Sequence, residues 1–100
     1  MKTINKPSPK NFYELHECLD YLQNKYGYSE ENIQKFSIYI HDHYGVEDDS
    51  YFSVSNCGLD DLKDDIQDYG GPELTLEIYE KLTIEFGDEK NGYVNFHVFW

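Results

Sequence analysis

The chain has 100 residues, which suits one domain with one modest hydrophobic core. It carries 20 acidic residues against 8 basic ones, every one of them lysine, and its formal net charge is −12. Such a surface repels DNA, RNA and anionic membranes, so direct binding to any of them is disfavoured and a basic protein partner is favoured. The chain is also 39% hydrophobic and 17% aromatic, which argues against disorder.

The first ten residues, MKTINKPSPK, predict a loose N-terminal arm, because Pro7 and Pro9 block regular structure. We expect a single α+β domain over residues 11–100. No apolar run is long enough for a signal peptide core or a membrane span, so a cytoplasmic protein is expected. Cys18 and Cys57 have no motif spacing, and Cys18 is expected to be a buried thiol.

A first helix is predicted from Asn11 to the glycine at position 27. Asn11 and Glu14 have the spacing of a capping box, and Gly27 supplies a C-terminal stop. One apolar stripe runs along this helix and consists of Phe12, Leu15, Leu19, Leu22 and Tyr26.

Residues 29–45 fit both a helix and a strand. Ser29 is a good N-cap and Gly45 a good stop, whereas FSIYI, residues 36–40, alternates and is rich in strand formers. We favour the helix because both of its ends carry helix signals. If the strand were correct, it would pair with YFSVS, residues 51–55.

The last third of the chain predicts a short helix followed by a hairpin. Residues 59–69 form the helix and turn Leu59, Leu62, Ile66 and Tyr69 inward. A strand follows over residues 74–86, a turn at Asn91-Gly92, and a second strand over residues 94–100. The first strand places these apolar residues on one parity: Leu74, Leu76, Ile78, Leu82, Ile84 and Phe86. The predicted fold is therefore α+β, with two to three helices packed on one face of a small antiparallel sheet that ends in a C-terminal β-hairpin.

The short helix carries five aspartates, at positions 60, 61, 64, 65 and 68. Their i, i+4 pairs each cost about 0.2–0.5 kcal/mol, and aspartate is a poor helix former. Only Asp60 and Asp61 are expected to gain from the positive helix N-terminus. Local folding therefore does not explain the row, which is either a solvated face or a set of carboxylates that replaces phosphates in a basic groove.

The acidic excess continues upstream of this helix, and tyrosines, which are favoured in interfaces, are interleaved with it. The predicted partner-binding residues are Asp42, Glu47, Asp48, Asp49, Asp60, Asp61, Asp64, Asp65, Asp68, Tyr44, Tyr51 and Tyr69. An alternative interface is the solvent-exposed face of the predicted hairpin, which would present Tyr79, Tyr93, His97 and Phe99.

Other chemistry has little support. His41-Asp42-His43 lacks a third zinc ligand at a defined spacing, and EDDS, residues 47–50, lacks the spacing of a calcium loop. No phosphate loop, nucleophile elbow or dinucleotide fingerprint is present, and Cys57 has no catalytic signature. We therefore predict no enzyme activity, no catalytic residue, no metal and no cofactor; no oligomeric state is predicted.

Two short resemblances extend these expectations. LHECLDYL, residues 15–22, and IYEKLTIEF, residues 78–86, resemble parts of phage anti-restriction DNA mimics, which implies an acidic inhibitor and a helix where the alternation predicts a strand. YIHDHYGVEDDSYF, residues 39–52, with LDDLKDDI, residues 59–66, is similar to the later part of acyl carrier proteins. Carriers need Asp-Ser-Leu at a helix start, whereas here Asp49-Ser50 precedes Tyr51.

The expected function is a small acidic inhibitor that binds a basic nucleic-acid-processing protein and blocks its nucleic-acid site. A phage DNA mimic acting on a CRISPR or restriction complex fits this expectation, as does an immunity protein for a nuclease toxin. The alternative is an acyl-carrier-like or general adaptor protein without an inhibitory role.

Overall fold

The computed structural model of the chain describes residues 12–70 and 73–98. The predicted N-terminal arm lies outside this range. The α+β class is confirmed, with four helices and a three-stranded mixed sheet. The elements in chain order are β1 (Tyr13–Glu14), α1 (Leu15–Tyr26), α2 (Glu30–Tyr44), β2 (Ser50–Val54), α3 (Asn56–Tyr69), α4 (Glu73–Phe86) and β3 (Val94–Val98).

Helix α1 begins later than predicted. Its N-cap is Glu14, whose side chain makes no capping hydrogen bond, so the predicted capping box is wrong. Asn11 itself lies outside the described residues. The reason for the shift is that Tyr13 and Glu14 pair with β3 in a sheet. Gly27 ends the helix at φ 76°, as predicted, because the left-handed backbone carries no Cβ penalty in glycine.

Helix α2 confirms the favoured interpretation of residues 29–45. The Ser29 hydroxyl accepts a hydrogen bond from the Asn32 amide at 3.1 Å, and Gly45 follows the helix in a left-handed conformation. Phe36 and Ile40 are fully buried, whereas Ile38 is 60% exposed. The alternation in FSIYI therefore does not produce a strand, because its middle apolar residue faces away from the core.

The predicted strand over residues 74–86 is wrong, since this segment is helix α4. Its buried side chains follow helical spacing and are Thr75, Ile78, Tyr79, Leu82, Thr83 and Phe86. Ile78, Leu82 and Phe86 are four residues apart, a spacing that fits one face of a helix and one parity of a strand equally well. On a strand, Ile84 would lie on the same buried face as these three residues. It is instead 60% exposed, which agrees with a helix.

The sheet has the order β1-β3-β2, so the predicted purely antiparallel sheet and C-terminal hairpin are also wrong. The predicted final strand is confirmed over Val94–Val98, but its antiparallel partner is β2, with Phe52 opposite Phe96. β1 pairs with β3 in parallel, with Tyr13 opposite Phe96. The turn predicted at Asn91-Gly92 lies between α4 and β3 instead of between two strands, and Gly92 adopts a φ of 63°.

A single hydrophobic cluster contains residues from all four helices and from β2 and β3. α4 contacts the other three helices, which makes it the central helix of the packing. Cys18 lies in this cluster and is fully buried, as expected. No helix in the described part of the chain is long and apolar enough to span a membrane.

Candidate protein-interaction surface

Helix α3 carries the predicted aspartate row. The helix begins at Asn56, three residues before the predicted start. The Ser55 hydroxyl caps it by accepting a hydrogen bond from the Gly58 amide at 3.0 Å. Leu59, Leu62 and Ile66 are buried, as predicted, and they anchor the helix against the core. The side chain of Tyr69, predicted to turn inward and also to anchor a partner, lies outside the described residues.

The earlier start of α3 corrects one electrostatic expectation. Asp60 and Asp61 lie in the second turn, beyond the orphan amides of the helix N-terminus, and the first turn holds no acidic residue. The expected stabilisation of these two carboxylates by the helix dipole is therefore wrong. The last turn holds no basic residue either, so Asp68 faces the negative helix end without compensation.

Four of the five aspartates are exposed and form the surface that we call the acidic face: Asp60, Asp61, Asp64 and Asp68. Among residues 12–70 and 73–98, no lysine or histidine forms an ion pair with any of them. Asp65 differs, because its Oδ2 lies 3.1 Å from Nε2 of His43 on α2. The acidic face therefore presents carboxylates that no basic side chain of the described residues neutralises.

The upstream acids lie in less uniform surroundings. Asp42 is exposed at the end of α2, and its Oδ1 lies 3.1 Å from Nδ1 of His41. Glu47 and Asp48 are exposed in the loop before β2. Asp49, which follows them, is held in a left-handed backbone conformation with a φ of 57°. Its carboxylate is engaged by His97, so it belongs to a local network instead of a free acidic row.

That network joins three segments of the chain through one imidazole ring. His97 Nδ1 lies 3.0 Å from Oε2 of Glu14 in β1, and its Nε2 lies 2.8 Å from Oδ1 of Asp49. Hydrogen bonds to Glu14 and then to Asp49 raise the pKa of His97 above its ordinary value. A doubly protonated ring can donate to both carboxylates, so the protonated form ties the loop before β2 to the sheet.

A groove of about 490 Å³ opens where α2, β2 and α3 meet, and we call it the aromatic groove. It brings together four predicted interface residues, which are Tyr44, Tyr51, Asp61 and Asp65. The other lining residues are Val46, Phe52, Ser53, Val54, Ser55, Gly58, Tyr79 and Tyr93. Carboxylates from one helix and phenol rings from four separate segments thus share one concave surface.

The floor and rim of the aromatic groove differ in exposure. Phe52, Val54 and Tyr79 are buried and form an apolar floor. Tyr51 and Tyr93 are 55% and 51% exposed at the rim, where the Tyr51 ring also packs against the rings of Phe12 and His97, with centroids 4.9 and 5.4 Å away. The Tyr79 hydroxyl accepts a hydrogen bond from the Ser55 amide at 3.4 Å, which fixes the floor against the start of α3.

Tyr44 reports the electrostatic character of the aromatic groove. Burial raises its pKa to about 12, and the charges of Asp65 and Asp61 contribute in the same direction. Burial also raises the pKa of Tyr79, and Asp61 adds to that shift. Both phenols therefore stay protonated near neutral pH, and the surrounding potential is one that disfavours an additional negative charge.

The alternative interface on a hairpin face does not form as predicted. Tyr79 belongs to α4 and is only 4% exposed, because the segment is a helix. Tyr93 directly precedes β3. His97 lies on β3 and pairs with Glu14 and Asp49. Phe99 lies outside the described residues. Tyr93 instead contributes to the aromatic groove, so part of the alternative surface merges with the preferred one.

Candidate sites for other chemistry are sparse. No group of three or more histidine, cysteine, aspartate or glutamate side chains in the described ranges could hold a metal ion. Cys57 is exposed and Cys18 is buried. Ser50 begins β2, and its hydroxyl donates to the Glu47 carbonyl, so it does not stand at a helix start as the carrier resemblance implies.

Comparison with protein-family models, curated proteins and solved structures gave no match to this chain. We therefore infer the function from the residues and their geometry. Sequence reasoning missed the groove floor, because Phe52 and Tyr79 meet only through tertiary packing, with their ring centroids 6.1 Å apart. It also missed Ile38, whose exposed side chain lies with Asp42 in a shallow depression on α2.

Proposed function

We propose that the protein is a small acidic inhibitor that binds a basic, nucleic-acid-processing protein and blocks its nucleic-acid site. The observation that carries the proposal is the acidic face of α3, whose carboxylates have no basic partner among the described residues. Their mutual repulsion destabilises the helix, and a basic protein surface would relieve it.

The charge spacing on α3 supports replacement of a nucleic-acid strand. Asp60 and Asp68 are eight residues apart, which corresponds to about 12 Å along the helix axis. The four aspartates of the acidic face span this interval and give one carboxylate per about 4 Å, against one phosphate per about 3.4 Å of axis in a single DNA strand. A groove built for phosphates would therefore meet a comparable charge density on this helix.

Two biological settings suit this surface equally. In one, the protein neutralises a nuclease toxin as its immunity protein; in the other, it is a phage DNA mimic directed at a CRISPR or restriction complex. Both place the encounter in the cytoplasm, and both predict fast association that slows as salt screens the charges. Strong loss of binding at moderate salt is thus an expected property of the complex.

The test is affinity capture from host lysate, at low and at moderate salt, with the tagged chain and with two charge-reversed variants. The first variant combines Asp60→Lys, Asp64→Lys and Asp68→Lys on the acidic face. The matched control combines Asp20→Lys, Glu80→Lys and Glu89→Lys, three exposed acids outside α3, and changes the net charge equally.

We expect the unaltered chain and the control variant to capture a basic nuclease or effector complex. The affinity of the acidic-face variant for that partner should fall by more than about 100-fold, so that the variant no longer captures it. The captured complex should lose its nucleic-acid activity when bound. Equal retention by both variants, or capture of a partner whose nucleic-acid activity continues, would refute the proposal.

A further inference from the structure

The aromatic groove joins one carboxylate of the acidic face, that of Asp61, to two features that the rest of the face lacks, a concave shape and exposed phenol rings. It is concave, and its volume of about 490 Å³ lies within the range of about 300–1,000 Å³ that is usual for ligand pockets. Its walls carry the carboxylate of Asp61, which pairs with no basic side chain among the described residues. Its rim exposes the phenol rings of Tyr51 and Tyr93.

We propose that the aromatic groove binds one arginine side chain of the protein partner, with Asp61 accepting hydrogen bonds from the guanidinium and the rim tyrosines stacking on its plane. The inference rests on the proposed function, because it names the group through which the basic partner is recognised. It adds a specific pocket to a surface that would otherwise act only through its overall charge.

The charges around the groove favour a cation. Asp61 and Asp65 are one helical turn apart on α3, and both line the groove. Of these two carboxylates, only Asp65 has a described partner, His43, so Asp61 remains to be neutralised. Burial is the main cause of the raised pKa values of Tyr44 and Tyr79, and the charge of Asp61 adds to both shifts.

The aromatic lining favours arginine over lysine. A guanidinium is planar and weakly hydrated, stacks on aromatic rings and donates several parallel hydrogen bonds, whereas an ammonium is a strongly hydrated point charge. The neutral phenol of Tyr44 adds an uncharged wall to the groove. The centroid of its ring lies 6.1 Å from that of Phe52 on the floor. A flat, apolar-faced cation suits such a pocket better than a compact one.

The experiment follows amide chemical shifts of the full-length, ¹⁵N-labelled chain during titration with a capped Gly-Ser-Arg-Ser-Gly peptide. Matched peptides carry citrulline, which removes the charge but keeps the shape, or lysine at the central position. The titrations are repeated with Asp61→Asn and with Asp20→Asn, which removes an equal charge from α1, outside both the groove and the acidic face.

We expect saturable shifts around Tyr51, Gly58 and Asp61 with the arginine peptide, weaker ones with lysine and none with citrulline. Asp61→Asn should weaken arginine binding by about tenfold, because a charge-assisted hydrogen bond is lost, while Asp20→Asn changes it by less than about twofold.

Three results would overturn the inference: equal binding of the citrulline peptide, equal binding of the lysine peptide, or equal weakening by the two variants. If any of them occurred while the acidic-face variant still lost its captured nuclease, the arginine pocket would be refuted and the inhibitor function would stand. Groove binding by the arginine peptide without capture of a nucleic-acid-processing protein would refute the function instead.

Discussion

Neutralising Asp64 should stabilise the folded protein, because this residue has three acidic neighbours on α3. Asp60 and Asp61 lie four and three residues before it, and Asp68 lies four residues after it. Each like-charge pair at these spacings costs about 0.2–0.5 kcal/mol, so Asp64→Asn should raise the free energy of unfolding by about 1 kcal/mol. Asparagine and aspartate have similar helix propensities, so the change isolates the charge.

The assay is thermal unfolding followed by circular dichroism at low ionic strength. A gain of about 1 kcal/mol corresponds to a rise in Tm of roughly 4–8 °C for a domain of this size. The control is Asp20→Asn on α1, which has one acidic neighbour at helical spacing, Glu17, and should gain less.

Salt provides a second control, because at about 1 M the screening length falls to about 3 Å and the difference between Asp64→Asn and the unaltered chain should largely vanish. An unchanged or lower Tm for Asp64→Asn at low ionic strength would refute the argument that the acidic face is electrostatically strained. The proposal that this face is kept for a partner would then lose its physical basis.

Three further predictions, one of them with a control substitution, test the fold and the site. Leu82→Ala should lower the free energy of unfolding by about 2–5 kcal/mol in urea titrations, while Ile84→Ala changes it by less than about 0.5 kcal/mol; similar losses would favour a strand over α4. Gly58→Ala should destabilise by about 1 kcal/mol in the same assay, since its Cβ would meet the Tyr79 hydroxyl; a gain would contradict this clash. His97→Gln should cost most stability below pH 6.5. The raised pKa of His97 means that its contribution is complete below the unfolded value and is lost as pH rises through the folded value. Urea midpoints at pH 5.5 and 9 would check this, and an equal cost at both would refute the ionic network.

Local signals predicted the elements whose ends are marked by capping residues. Ser29 and Gly45 identified α2 against a competing strand pattern, and the structure uses both. The error at α4 arose because Ile78, Leu82 and Phe86 satisfy both periods. Two sequence signals favoured the helix over the strand. One is Pro72-Glu73, a favourable helix start, and the other is that the polar residues Thr75 and Thr83 share the buried face.

Non-local pairing explains the remaining errors. A two-residue strand has no recognisable pattern, and β1 exists only because Tyr13 lies opposite Phe96, far away in the chain. The acidic face could be predicted because it depends on the periodicity of one helix. The aromatic groove could not, because Tyr44, Asp61 and Tyr79 come from three helices that meet only in the folded core.

The strand order has a consequence for how the molecule is made. β3 is the middle strand of the sheet, yet it comes after the other described elements in chain order. On the ribosome, β1 and β2 therefore emerge well before the strand that joins them, and that strand carries Phe96, a fully buried core residue. Helices α1 to α4 can associate early through local contacts, whereas sheet formation waits for one long-range step. We infer that nascent chains remain vulnerable to proteolysis and misassociation until that strand is released.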